Sequence, residues 1–355
     1  MAQPTPRILR RTGPGFLLCY PHIPIGKVVL TGVLDQPIGI LDEHPEWSRR
    51  LIAALEARCL PYEKIDHSSH FFDPGDRQRR YAVVVNRTSP SSHTRGHGSV
   101  LFYAEPLLAH YEALGVPVIN PARAYRFEKS KALQIDLFER LNVRYPRAVV
   151  VNHQEQIAKV VDRIGFPLVL KPNVGGSGAG IVRFDSIDAL QAQLGFMDFG
   201  PDGTALVQRY VEPAEGAIVR VEVLDGRALY AIRIVRESPQ GFNLCPADLC
   251  GVSPTPTGPD GLGTCPTNAR QGLTVARYEA PREAVQTAIR LTRESGIDVG
   301  GVEYLVSARD GLTYFYDVNA TSNFVADAPR VLGFDPHPAF VDFIVATAGR
   351  GQEGR

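Results

Sequence analysis

No apolar run in the 355-residue sequence approaches the ~20 residues that a bilayer crossing needs, and the Phe16–Tyr20 patch is too short for the core of a secretion signal. No helical membrane span is expected, and we expect a cytoplasmic protein. Charge bias is also missing: 38 basic side chains face 38 acidic ones. A chain without a basic excess has little long-range pull on polyanions, which argues against nucleic acid as a partner. Cysteines number only five, an odd count at modest density, so the fold is not a secreted disulfide framework. No internal repeat is visible.

What the sequence has is glycine concentrated where it costs most. In FPLVLKPNVGGSGAGIV, residues 166–182, Phe166–Leu170 is a short apolar strand and Gly180–Phe184 resumes strand alternation. GGSGAG is thus a tight connection whose backbone entropy only a special contact repays. Its N–H groups can converge on an anion because no Cβ stands in the way, and Lys171 can add a cation. A P-loop would end in Gly-Lys-Ser/Thr, but Gly180 is followed by Ile181 and Val182. A dinucleotide fingerprint would open a helix, yet a strand follows here. A glycine-rich hairpin flap over a nucleotide remains, with a plain flexible hairpin as the alternative.

Around this loop the chain falls into parts. Residues 1–35, with Arg7, Arg10 and Arg11 and little periodicity, read as an N-terminal arm. Strands at IGILD, YEKID, 81–86 and VPVIN alternate with helices at 47–58 and 101–114, which makes 36–122 a small parallel-sheet domain. Its polar segment 86–99 follows a strand end, where such sheets bind ligands, so Arg87, His93, Arg95 and His97 are candidates against a bland reading as a solvated loop. Beyond it come a helix at 129–141, the glycine hairpin, and a hairpin turning at Asp225-Gly226. Residues 237–272 form a long Pro-, Gly- and Thr-rich insertion, which is functional or mobile in most compact domains. A helix at 281–295, a last hairpin and a helix near 339–348 complete the chain.

The last hairpin, GVEYLVS and TYFYDVN, turns near Asp310, which sets Glu303 opposite Asp317 and puts Asn319 on the same face. Like charges across a ladder repel unless a cation lies between them, and oxygens of Glu, Asp and Asn suit Mg2+. An exposed acidic pair on an edge hairpin is the alternative.

Lys131, KPNVGGSGAGI, VQRYVE, VEYL and DVNATSN occur in the order seen in the ATP-grasp superfamily. Over about residues 80–346 the pattern most resembles the RimK-type carboxylate–amine ligases. The resemblance implies an α/β ATP-grasp fold: a pre-ATP-grasp domain at 36–122, a lid subdomain at 123–210, and a C-terminal mixed-sheet subdomain at 211–348 carrying the 237–272 insertion. It implies that Lys131 and Lys171 bind the ATP phosphates beneath the loop Gly175, Gly176, Ser177, Gly178 and Gly180. Gln208, Tyr210 and Val211 would form the adenine hinge. Arg220 and Arg233 would face phosphate or substrate, and Asn268 and Arg270 would match the N-x-x-R-G-G-like stretch. Glu303, Asp317 and Asn319 would hold Mg2+, for which Mn2+ can substitute. The expected reaction joins a small-molecule or peptide carboxylate to an amine through an acyl phosphate, and related enzymes lead us to expect a homo-oligomer. A kinase acting on a hydroxyl and a non-catalytic ATP-binding module are the alternatives.

Two departures from the pattern stand out. The acid expected two residues before Arg220 is Ile218 here, which shifts ribose recognition to Glu212 or Glu215. After Asn319 comes ATSNFVAD rather than a glycine-containing loop. For Cys245, Cys250 and Cys265 a packing role is weighed above zinc or a reactive thiol, because the tight pairs and fourth ligand of a zinc site are missing. His337 reads as a capping or packing residue, and His22 lies in the N-terminal arm.

Overall fold

The computed structural model describes residues 34–44, 46–176, 178–236 and 273–353. The arm's arginines, His22, Cys245, Cys250 and Cys265, and the site candidates Ser177, Asn268 and Arg270 lie outside the described residues.

The first sheet is parallel, with order β2-β1-β3-β4: β1 (Ile38–Leu41), β2 (Tyr62–Ile65), β3 (Val83–Asn86) and β4 (Val118–Ile119). β1 and β3 are buried at every residue, as apolar strands covered on both faces must be. α1 (Arg49–Glu56) buries Leu51 and Leu55, one turn apart, and α2 (Val100–Ala113) is the other main helix of this unit. The segment read as a loop at 86–99 contains a 3-10 helix at Pro90–Arg95. Its start is fixed by Pro90 and by the Ser89 hydroxyl accepting from the Ser91 N–H, and it ends at Gly96 with φ +84°.

α3 (Ala122–Glu128) and α4 (Lys131–Arg140) follow. The sequence reading missed α3 because Lys129 and Ser130 interrupt the helical pattern, and Ser130 caps α4 through the Leu133 N–H. Both helices belong with a later sheet: Ala124, Phe127, Leu137 and Phe138 pack against Val219, Val302 and Tyr304. Assigning 123–140 to the lid is therefore corrected by packing, since these apolar faces are covered by the C-terminal sheet.

The second sheet is antiparallel, order β5-β8-β6-β7: β5 (Ala148–Val151), β6 (Leu168–Pro172), β7 (Val182–Phe184) and β8 (Ala205–Arg209). α5 (Glu155–Ile164) and α6 (Ile187–Gln191) close its core with Ile157, Val161 and Leu190. β6 and β7 flank the glycine loop as expected.

The third sheet, also antiparallel, has order β11-β10-β9-β12-β13: β9 (Pro213–Leu224), β10 (Arg227–Arg236), β11 (Leu273–Arg277), β12 (Val299–Ser307) and β13 (Thr313–Asn319). β11 was not legible beside the insertion. α7 (Arg282–Ser295) covers one face with Ala284, Ala288 and Leu291. On the other side, α8 (Ala328–Leu332) and α9 (His337–Glu353) join Ile218, Ile232 and Ile234 to Leu51 and Leu55 of α1 in one core. No described helix is long and apolar enough to cross a membrane.

Candidate active site

A cavity of about 460 Å³ opens where the three sheets meet. Its floor is one face of the third sheet, and two adjacent rungs carry the charged groups. Arg220, Glu303 and Asp317 sit side by side on β9, β12 and β13, and one step along lie Glu222, Gly301 and Asn319. The opposition of Glu303 to Asp317 is the register read from the turn at Asp310.

Arg220 is the hub. Its Nε donates to Glu222 Oε1 at 2.6 Å and its Nη1 to Glu303 Oε1 at 2.9 Å. Burial alone would lower the guanidinium pKa, but the two carboxylates outweigh it and the value rises. Gly301 makes this possible: a Cβ there would lie 2.3 Å from the guanidinium. Glu303 also accepts from the Tyr316 hydroxyl at 3.0 Å, and Asp317 Oδ2 accepts from Asn319 Nδ2 at 3.1 Å. Burial, and then the charge of Asp317, push the Glu303 carboxyl up while Arg220 pulls it back.

The side of the cavity toward the glycine loop is built from the second sheet. Lys171, on β6, is buried, and burial brings its ammonium down to about 8 even though Asp317 and Glu303 favour the charge. Lys131 opens α4 and donates from Nζ to the Gly175 carbonyl at 2.9 Å. Gly175, Gly176 and Gly178 line the cavity. A Cβ on Gly176 would stand 3.6 Å from Ser91 Cβ, so the loop rests against the 3-10 helix of the first unit. Gly180 does not line the cavity. Its φ is +73° and a Cβ would meet Pro172 at 2.8 Å, so its glycine serves the backbone path.

At the other end, Gln208, Tyr210, Val211 and Glu212 border the cavity. Gln208 Nε2 donates to the Pro146 carbonyl at 3.2 Å, and the Arg183 guanidinium lies 4.2 Å from the Tyr210 ring centroid.

Two candidates lie elsewhere. Arg233 pairs across the ladder with Val219, and cross-strand neighbours share a face, so it emerges on the side packed with α4 and α7. There it holds Glu215, an exposed residue with φ +54°. Neither lines the cavity, which leaves Glu212 of the two acids considered for ribose. Arg87, His93, Arg95 and His97 do not line it either; Ser89, Pro90 and Ser91 do. Arg95 and His97 hold Glu43, His93 faces the Pro90 carbonyl, and buried Arg87 ties Ser322 and Asn323.

Sequence reasoning missed Glu222, Tyr316 and Glu128. Glu222 follows Arg220 by two residues, so strand period would have found it. Tyr316 reaches the same side as Asp317 because the register slips between Glu303 and Tyr304, an irregularity with no sequence signature. Glu128 ends the unforeseen α3, accepts from the backbone of Ala320 and Thr321, and is raised to about 7 by burial.

Among the described residues no three or more His, Cys, Asp and Glu side chains form a metal cluster. Glu303 and Asp317 with the Asn319 amide are a hard-oxygen set of the kind that binds Mg2+ jointly with phosphates, and the repulsion between the two carboxylates, partly offset by Arg220, fits a dication.

Residues 128–243 match the family model of the RimK-like ATP-grasp domain. A probable alpha-L-glutamate ligase 1 of Shewanella denitrificans is 25% identical over 287 residues, spanning 76% of this chain and 85% of that protein. The ATP-grasp ligase PsnB, solved with a phosphomimetic variant of a minimal precursor, Mg and ADP, aligns with TM-score 0.61 at 18% identity over 89% of this chain and 99% of its own. D-alanine–D-alanine ligase from Bacillus anthracis, solved with ATP, aligns with TM-score 0.61 at 16% identity over 90% and 99%. Fold and cavity define an ATP-grasp protein. Residues 128–243 carry a RimK-like ATP-grasp domain, and over most of its length the chain is similar to ATP-dependent carboxylate–amine ligases.

Proposed function

We propose that the protein activates a carboxylate with the γ-phosphoryl of ATP and passes the acyl group to an amine, releasing ADP and phosphate. The observation carrying this reading is the single cavity that joins two lysines, a glycine loop, Arg220 and the acidic rungs. Phosphoryl transfer asks mainly for positioning and charge neutralisation, and these residues supply both.

In this reading Lys131 and Lys171 bind the phosphates, and the N–H groups of Gly175–Gly178 cover them, with Gly180 holding the loop's turn. Gln208, Tyr210 and Val211 receive the adenine, and Glu212 the ribose. Arg220 faces the reacting carboxylate. Glu303, Asp317 and Asn319 hold Mg2+ or Mn2+, which when bound neutralises phosphate charge. Asn268 and Arg270 join from the insertion, and a homo-oligomer is the expected assembly. The units acting together are 36–122, the lid sheet up to 210, and the C-terminal sheet with α3 and α4. PsnB, solved with a precursor peptide, supports offering peptides as well as free amino acids as substrates.

The test is ADP and phosphate release by purified protein with Mg-ATP and pooled amino acids and peptides, with mass detection. ADP that requires both a carboxylate and an amine, with a product one water lighter than the two, supports the reading. ADP accompanied by a phosphorylated alcohol, or no ADP with any pool, overturns it.

A further inference from the structure

Glu222 is a buried acid on the cavity floor that this chemistry leaves unused. It is 1% exposed and lines the cavity. Oε1 accepts from Arg220, whereas Oε2 has no hydrogen-bond partner among the described residues. A carboxylate oxygen held out of water without a donor is a costly arrangement, and a donor arriving with a ligand removes that cost. The nearby cations do not fill the role. Arg220 reaches Glu222 through Nε and Oε1 and turns Nη1 to Glu303, and Arg87, though close enough to feel the charge, bonds to Ser322 and Asn323.

Position along β9 decides what the oxygen can meet. The strand starts at Pro213 beside the hinge residues and runs away from them past Ile218 and Arg220. At ~3.3 Å per residue, Glu222 lies about 13 Å from Ile218 and about 7 Å beyond Arg220. An acid at 218 would stand at the nucleotide end, and an acid at 222 stands past the residue that faces the reacting carboxylate. Gly301, beside Glu222 on β12, adds no side chain to obstruct this corner, and Asn323 and Phe324 border the cavity as well.

We propose that Glu222 is a substrate-binding residue whose Oε2 receives the amine substrate as its ammonium ion. The assignment rests on the ligase reading above and gives it a polarity: carboxylate at Arg220, amine at Glu222. Ammonium supplies three donors to an acceptor that has none, and pairing cancels the buried charge. No bond forms or breaks in this step.

The test uses the twenty proteinogenic L-amino acids as amines at saturating Mg-ATP, with ADP release as readout, in wild type and E222Q. Glutamine keeps an oxygen for Arg220 Nε and removes the negative charge. The amine KM should rise at least tenfold while the KM for ATP stays within twofold, and E222D should recover part of the loss. An unchanged amine KM, or an equal rise for ATP, overturns the assignment. If E222Q does not fold, the wild-type enzyme carries the test: the 2-hydroxy analogue of the best amine should inhibit with a Ki at least tenfold above that amine's KM, and equality overturns the proposal. Absence of ADP from wild type with every pool of amino acids and peptides removes the ligase reading and this assignment with it. An active enzyme with an indifferent E222Q removes only the assignment.

Discussion

Lys171 holds a cation where a cation is expensive. Burial lowers its ammonium to about 8 against an ordinary 10.5, so the folded protein gives up this proton before the unfolded chain does. Between those values the unfolded chain binds more protons, and this group's contribution to stability rises with pH. Function runs the other way. Phosphate binding needs the charged form, so ATP affinity should fall as pH rises from 7 to 9, by at most about tenfold per unit, and K171R should flatten the dependence. Calorimetric titration at three pH values measures both, and a wild-type affinity that is flat or rises over this range contradicts the account. Asp317 gives the second prediction at this scale. D317N keeps the shape of the rung and removes one charge, so ADP release should drop about 100-fold or more with the protein still folded.

At the scale of elements, the third sheet works because two neighbouring glycines on β12 do different jobs. A Cβ on Gly301 would collide with the Arg220 guanidinium at 2.3 Å, whereas one on Gly300 would meet the Asn319 carbonyl oxygen at 2.2 Å. The first obstacle is the end of a side chain and the second is backbone. G301A should therefore cut turnover tenfold or more and lower the melting temperature through the displaced Arg220 ion pairs, while G300A, which meets backbone, should lower the melting temperature further. Parallel losses in the two variants would show that Gly301 matters only to the fold. The elements were legible in the sequence where period and turn agreed. The Asp310 turn set the register of Glu303 against Asp317, and the Gly-rich stretch announced the β6–β7 hairpin. They were illegible where tertiary packing decided. Arg233 has the right chemistry, yet ladder parity sends it behind the sheet. α3, and Glu128 with it, is held by packing that no local pattern announces.

At the scale of the whole molecule, the cavity takes part of its wall, Trp47 and Ser89 to Ser91, from the first unit, which is fastened to the third sheet. Arg87 leaves the end of β3, and its guanidinium bonds to Ser322 and Asn323 beyond β13. Asn120 does similar work, accepting from the Asp298 and Val299 N–H groups at 2.8 and 3.2 Å and donating to the Val299 carbonyl at 2.7 Å. Replacing Arg87 with methionine should cost about 2–3 kcal/mol in urea unfolding and raise the KM for substrate more than that for ATP, because the loop it anchors borders the end away from the hinge. A loss below about 0.5 kcal/mol would show that the tie is incidental.

The central claim is that ATP activates a carboxylate as its acyl phosphate, and it is tested most directly by isotope. With the carboxylate substrate labelled with 18O and Mg-ATP unlabelled, the account predicts one labelled oxygen in the released phosphate for every amide formed, because the oxygen that attacks the γ-phosphorus leaves with it. Phosphate free of label, or label in AMP, would contradict it.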